Sequence, residues 1–566
     1  MLGGGTPPLP IPNPLGGGTP PLPYNFLGEG TSPLPPSRYL VISLNPSTFD
    51  PQPWHVRSLA LDQRTGAEIF QVLYGDLLRQ PPSLETLAVL LESPYPLPAV
   101  AKPHQAHSRY SLCAGPPRFC HGQPQLWTPD LGDILPTLAQ RLQAGSGLSL
   151  VGDDADLAEQ TLPFTGGWLG WLGYDLAWEI ERLPSQNFDP LPFPVALWYE
   201  PDTFAVLDHG DQRLWLAATN ESDLDHLVRQ VQDVPAQDVP AQDFQVRDSD
   251  AAQPFQGSQQ SQDAQTLDPH ASPSPAFPLT LGMAAADYQA AVMQAKQHIQ
   301  AGDVFQVNLS LRFSTQTTAH SWDLYRQLHR INPSPFACYW RTPWGDVISC
   351  SPERLVQVRG DQAQTRPIAG TRPRGATPAA DAAYAQALLS NPKERAEHIM
   401  LVDLERNDLG RVCQWGTVRV DELLTVEYYS HVMHLVSNVV GQLLPEKTAV
   451  DLIQAAFPGG TITGCPKVRC MEIIEALEPI RRSLFYGSCG YLDRRGYLDL
   501  NILIRTLLYG HGEGEGEGDH HRAPATVWGQ VGAGIVADSQ PDREWRESLQ
   551  KAKAQLLALG ITLLGD

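Results

Sequence analysis

No CxxC pair occurs in this chain, and none of its eight cysteines (113, 120, 338, 350, 413, 465, 470 and 489) stands near a histidine at zinc-finger spacing. That argues against a disulfide framework or a structural zinc module and fits reduced thiols in a cytosol. No run approaches the roughly 20 apolar residues needed to span a bilayer, and the N-terminus lacks a basic region followed by an apolar core. A soluble, cytoplasmic protein is the expectation. Positive charge is scarce as well: 40 Lys and Arg face 62 Asp and Glu, a net charge of −22. Nucleic acid and anionic membranes are therefore disfavoured as partners. An anionic small substrate must be captured by a local Arg, Lys, helix N-terminus or bound cation.

What is present is enough apolar residue, 42% of 566, for two ordinary domains or one large composite fold. Residues 1–36 repeat LGGGTPPLP at 2–10 and 15–23, with LGEGTSPLP at 27–35; Pro and Gly at that density sustain neither helix nor strand, so a disordered tail is expected. From 37 to 218, short apolar runs alternate with turn residues, as in YLVISL, FPVALWYEP and RLWLAAT, which suits a mainly antiparallel sheet region. Residues 219–275 turn polar and repeat VPAQD in tandem at 234–243, the composition of a flexible linker.

The second segment, 276–566, opens with MAAADYQAAVMQAKQHIQAGD, an amphipathic helix that Gly302 stops. The patterning predicts further helices over 321–331, 379–412, 448–456, 465–478 and 541–559. It predicts strands over 347–350, 354–359, 434–443, 485–493, 499–508 and 526–537. HGEGEGEGDHHR at 511–522 reads as a solvated hairpin loop, too loose to preorganise its histidines around a metal.

Two predicted helices carry paired carboxylates, Glu394 with Glu397 and Glu544 with Glu547. Three apart, each pair shares a helical face. Such pairs are usually solvated; facing one another across a site, they would hold a hard cation such as Mg²⁺. Arg505, in ILIRT, has apolar neighbours that imply burial and hence a partner. In GAG, Gly532 and Gly534 let backbone N–H groups approach an anion. Lys467, at a helix start, suits either an anion contact or a cap.

Taken together, SPE (351–353), RPIAGTRPRG (366–375), AEHIMLVDLERNDLGR (396–411), HVMHLVS (431–437), FPGGTITGCPKVRCMEI (457–473), DLNILIRT (499–506) and GAGIVADS (532–539) resemble the chorismate-utilising enzyme family. Within it they are most similar to the large synthase subunits of anthranilate synthase and aminodeoxychorismate synthase. The resemblance implies an α+β fold, two large antiparallel sheets packed face to face with flanking helices, and an active site in the cleft between lobes. It implies Mg²⁺ held by Glu397 and Glu547, with Glu394, Glu544 and Lys551 beside them. Arg505 would take the enolpyruvyl carboxylate, which its planar fork matches, and Gly532, Gly534 and Lys467 would contact substrate. Glu353 would be the acid for the C4 hydroxyl, His434 a hydrogen-bonding and proton-handling group, and Ala369, Gly370 and Thr371 the loop along the ring.

The same resemblance bears on the product. Relatives that add water to chorismate carry a Lys base where this chain has Gln306, and an amide cannot deprotonate water. Aminodeoxychorismate synthases commonly read PIKGT where this chain reads PIAGT, so Ala369 offers no amine nucleophile. Amination at C2, followed by pyruvate loss to anthranilate, is the expectation. 4-Amino-4-deoxychorismate is the alternative, since QVNLS and FTGGWLGWLGYDL are closer to aminodeoxychorismate synthases. A non-catalytic regulatory paralogue is a remote third reading, opposed by the presence of Glu353, Glu397, Arg505 and Glu547. LLES (90–93), SRYSL (108–112) and NPSPF (332–336) match the elements around a tryptophan pocket, which points to Ser93, Asn332, Pro333 and Ser334. No glutaminase elbow is present: GSCGY at 487–491 falls in an expected strand with no His-Glu pair after it. The resemblance implies ammonia from a separate glutamine amidotransferase subunit.

Overall fold

A computed structural model describes residues 53–93, 109–145, 150–234, 277–375, 377–428, 432–512 and 523–562. The Pro/Gly repeats, most of the acidic loop and the VPAQD repeat beyond residue 234 lie outside the described residues. The body is α+β, built on two antiparallel sheets.

The twelve-stranded sheet runs His55–Ala60, Arg213–Ala218, Thr203–Asp208, Tyr110–Ala114, Ala88–Glu92, Phe336–Thr342, Gly345–Ser351, Thr506–Gly510, Ala525–Ile535, Gln306–Thr317 and Thr280–Leu281, with Gly464–Cys465 pairing beside Gln306. The ten-stranded sheet runs Ile368–Pro373, Val432–Gln442, Gln362–Thr365, Arg354–Arg359, Leu498–Asn501, Ser488–Asp493, Gly167–Leu172, Ala196–Tyr199 and Leu126–Trp127, with Arg419–Tyr428 beside Val432–Gln442. The two halves of the chain meet inside each sheet. Leu91 pairs with Cys338 in one, and Gly170 with Gly490 in the other.

Strand periodicity explains the layering. Along Phe336–Thr342, Cys338 and Trp340 join the core between the sheets, while Ala337 and Tyr339 join the core under the outer helices. Trp340 of one sheet meets Trp171 of the other edge to face, ring centroids 5.5 Å apart. Outside the twelve-stranded sheet, the helices Gly66–Tyr74, Glu221–Asp233 and Ser321–Ile331 bury Phe70, Leu227, Trp322 and Tyr325. The helices Ala285–Gln300 and Lys467–Leu477 cover Gln306–Thr317.

Four elements depart from the sequence patterning. Residues 221–233 fall in the expected linker but form a helix, because Leu224, Leu227, Val228 and Val231 make one buried stripe and Asn220 caps it. The helix expected over 379–412 divides into Pro378–Ser390 and Pro392–Gly410; Pro392 has no N–H to continue a ladder and pushes Asn391 out of the helical region. The helix expected over 541–559 divides into Pro541–Lys551 and Lys553–Ala558. The strand expected over 499–508 breaks at 502–505, and its two pieces, Leu498–Asn501 and Thr506–Gly510, lie in different sheets. Among the described residues no helix is long and apolar enough to cross a membrane.

Candidate active site

Chain crossings between the sheets place the reactive groups. Gly345–Ser351 belongs to one sheet and Arg354–Arg359 to the other, so Glu353 stands on the turn that joins them. Ser351 Oγ donates to the Ile502 carbonyl at 2.6 Å, and the Ile502 N–H donates to the Glu353 carbonyl at 3.0 Å. That ties the Glu353 turn to the second crossing, 502–505. Arg505 sits on this second crossing with φ +52°, not in a strand as the pattern ILIRT suggests. Its Nη1 donates to Asn332 Oδ1 at 2.9 Å.

Burial pushes the Glu353 carboxyl up to about 8, against the hydrogen bond from Thr461 and with the Glu405 carboxylate adding to the rise. The group is therefore an acid that keeps its proton at neutral pH. Ile368–Pro373 pairs with Val432–Gln442, which sets Thr371 opposite His434 with Oγ1 and Nδ1 3.0 Å apart. Burial, reinforced by the Arg505 charge, pushes His434 down to about 3. It is a neutral imidazole at working pH, suited to hydrogen bonding. Ala369 is buried opposite Leu435. Gly370 has φ +69°, and a Cβ there would overlap Glu394 Oε2, so glycine is required on both counts.

The two carboxylate-bearing helices do approach the same space. Burial raises Glu397, and Glu394 raises it further, against Lys393, Gln306 and Lys551. Burial likewise raises Glu544, Glu547 adds to the rise, and Ser539, Lys393 and Lys551 oppose it. The four carboxylates nevertheless do not converge as a ligand set: among the described residues no group of three acidic, His or Cys side chains is close enough to hold a metal. Glu394 accepts from Arg372 Nη1 at 3.0 Å, and Glu547 pairs with Lys551 at 3.0 Å. Gln306 Nε2 donates to Glu397 Oε1 at 3.3 Å and lies over Gly534, where a Cβ would collide with it. Lys551 Nζ also donates to the Gly532 carbonyl at 2.9 Å, and a Cβ on Gly532 would press on Asn308 Oδ1 at 2.9 Å.

Lys467 is engaged within the protein. Its ammonium donates to Asp408 Oδ2 at 2.5 Å and to the Ala456 carbonyl at 2.6 Å. Glu405 and Asp408 were legible only in part: their spacing from Glu397 and His398 puts them on the inward face of Pro392–Gly410, where all but Glu397 are buried. Burial pushes Glu405 up to about 7, and Thr365 Oγ1 donates to it at 2.9 Å.

A cavity of about 450 Å³ opens between the sheets and is lined by Ser93, Pro335, Phe336, Arg354 and Cys489 among others. Ser93 Oγ donates to the Pro335 carbonyl at 3.4 Å. Asn332, Pro333 and Ser334 do not line this cavity: Asn332 Nδ2 donates to Ser334 Oγ at 3.1 Å and to the Cys350 carbonyl at 3.2 Å, while its Oδ1 receives Arg505. The segment 332–335 thus connects the cavity wall to Arg505.

Residues 129–557 match the family model described as chorismate binding enzyme. The chain belongs to that family. It is 54% identical over 512 residues, 90% of this chain and 92% of the relative, to the anthranilate synthase component I-like protein of Synechocystis sp.. It is 43% identical to the aminodeoxychorismate synthase component 1 of Bacillus subtilis, over 70% of this chain and 78% of that protein. The crystal structure of anthranilate synthase component I from Streptococcus pneumoniae superposes with a TM-score of 0.60 at 29% identity, covering 82% of this chain and 95% of that one. The α+β fold is that of the family.

Proposed function

We propose that this enzyme aminates chorismate at C2, with ammonia from a separate glutamine amidotransferase subunit, and then eliminates pyruvate to give anthranilate. The observation that carries the reading is Glu353, a buried carboxyl that holds its proton to about pH 8 beside the cation Arg505 and the neutral His434–Thr371 pair. Chorismate needs an acid where its C4 hydroxyl leaves and a cationic fork for a carboxylate, and these groups supply them. Glu353 gives its proton to the departing hydroxyl, and water leaves. Ammonia adds at C2, and removal of the C2 proton with loss of pyruvate restores the aromatic ring. Neither Gln306 nor Ala369 can act as an amine or a strong base, which favours ammonia over water and C2 over an enzyme-bound route to C4.

Glu394, Glu397, Glu544 and Glu547 are the groups that would hold Mg²⁺, and since they do not converge as they stand, they would have to draw together around the ion. All are hard oxygen donors; burial first, and the neighbouring carboxylate on the same helix after it, raises Glu397 and Glu544, and a divalent cation opposes that rise. Bound there, Mg²⁺ supplies charge neutralisation for the ring carboxylate. Gln306 orients Glu397, Arg372 orients Glu394, and Lys551 holds Glu547 against the Gly532 strand.

A second reading, 4-amino-4-deoxychorismate as product, is favoured by the 43% identity to the Bacillus subtilis relative. Purified protein incubated with chorismate, Mg²⁺ and ammonium separates the two by chromatography. Anthranilate supports C2 amination, 4-amino-4-deoxychorismate supports the second reading, and no product in the presence of metal refutes both.

A further inference from the structure

Two cysteines that the chemistry above does not use meet across the core. Cys338 lies on Phe336–Thr342 of the twelve-stranded sheet and Cys489 on Ser488–Asp493 of the ten-stranded sheet. Their sulfurs are 3.4 Å apart, and both residues are buried. Asn501 Oδ1 accepts from the Cys489 backbone N–H at 3.0 Å and from its thiol at 3.4 Å, which anchors Cys489 in place. A disulfide bond is about 2.05 Å long, so the sulfurs must close by about 1.3 Å.

Access exists on one side. Cys489 forms part of the wall of the cavity of about 450 Å³, whereas Cys338 does not line it. A small oxidant entering that cavity meets Cys489 first, with Cys338 directly behind it as the resolving thiol. We propose that Cys338 and Cys489 are a peroxide-responsive dithiol that closes into a reversible disulfide between the two sheets.

The step balances as a two-electron oxidation. The Cys489 sulfur attacks one oxygen of hydrogen peroxide, the O–O bond breaks, the thiol proton leaves with the departing oxygen as water, and a sulfenic acid remains. The Cys338 sulfur then attacks the sulfenic sulfur, the S–O bond breaks, and the hydroxide leaves with the Cys338 proton as a second water. A dithiol reductant reverses the bond. Burial pushes the Cys489 thiol up, which keeps its thiolate scarce and its oxidation slow, so excess peroxide is needed to drive the step. Once closed, the bond fixes the spacing of the sheets at the cavity wall.

The test uses the full native chain, treated with excess hydrogen peroxide, blocked with N-ethylmaleimide in denaturant, digested and analysed by mass spectrometry. The expected result is one cross-linked peptide pair joining Cys338 to Cys489 in most of the protein, lost on treatment with dithiothreitol. Cys489→Ser should yield no cross-link and leave Cys338 available to the maleimide. Recovery of both residues as maleimide adducts after peroxide, a sulfinic acid at Cys489 without cross-link, or a bond from Cys338 to Cys350 instead would each overturn the proposal.

Discussion

Glu353 shows how a common residue acquires an uncommon property. Its turn spans the two sheets, so the carboxyl is buried from both sides, and burial outweighs the Thr461 hydrogen bond that favours ionisation. In the proposed reaction the acid form is the working form, so kcat should be sustained below about pH 8 and fall as pH rises through that value. A pH–rate profile with the metal saturating checks this. Glu353→Gln keeps the shape and removes the proton; kcat should fall by about 10²- to 10⁴-fold with a much smaller change in KM. Arg505→Lys keeps the charge but loses the planar fork and the reach to Asn332 Oδ1. A charge-assisted hydrogen bond contributes about 1.5–3 kcal/mol, so steady-state kinetics should show KM for chorismate raised roughly tenfold to a hundredfold.

The same contrast between local pattern and long-range contact governs the elements. Gln306–Thr317, Ser321–Ile331 and Lys467–Leu477 follow from periodicity because one face of each is buried along its length. The breaks do not: Asn391–Pro392 is a local signal that the run of helix formers masks, whereas the division at 502–505 depends on which sheet each half joins. Arg505 therefore reads as a strand residue and is found on a crossing. Lys467 reads as an anion contact or a cap, and its partner Asp408 is hidden from local pattern because it lies 59 positions away. The carboxylate pairs were legible as faces, but not their capture by Arg372 and Lys551, since that depends on where other elements pack. Asn391 caps the helix that carries Glu394 and Glu397, accepting from Lys393 and Glu394 backbone N–H groups. Asn391→Ala should cost about 1 kcal/mol of stability and weaken the Mg²⁺ dependence of activity more than the affinity for chorismate, measured by thermal unfolding and a metal titration.

At the scale of the whole molecule, each sheet contains strands from both halves of the chain, so neither half owns a complete core. The described body should unfold in one cooperative step, with tryptophan fluorescence and far-ultraviolet circular dichroism tracing coincident urea curves. Two separated transitions would contradict the shared core. Trp340 is fully buried against Trp171 between the sheets. Trp340→Ala should cost about 3–5 kcal/mol, read as a shift of the same single midpoint.

The central claim is the carbon that receives nitrogen. Single-turnover reaction with nitrogen-15 ammonium, chorismate and Mg²⁺, followed by nuclear magnetic resonance of the product, locates the label directly. Nitrogen on the carbon next to the one bearing the ring carboxylate is the predicted result; nitrogen at C4, opposite that carboxylate, would contradict the assignment made from Ala369 and Gln306.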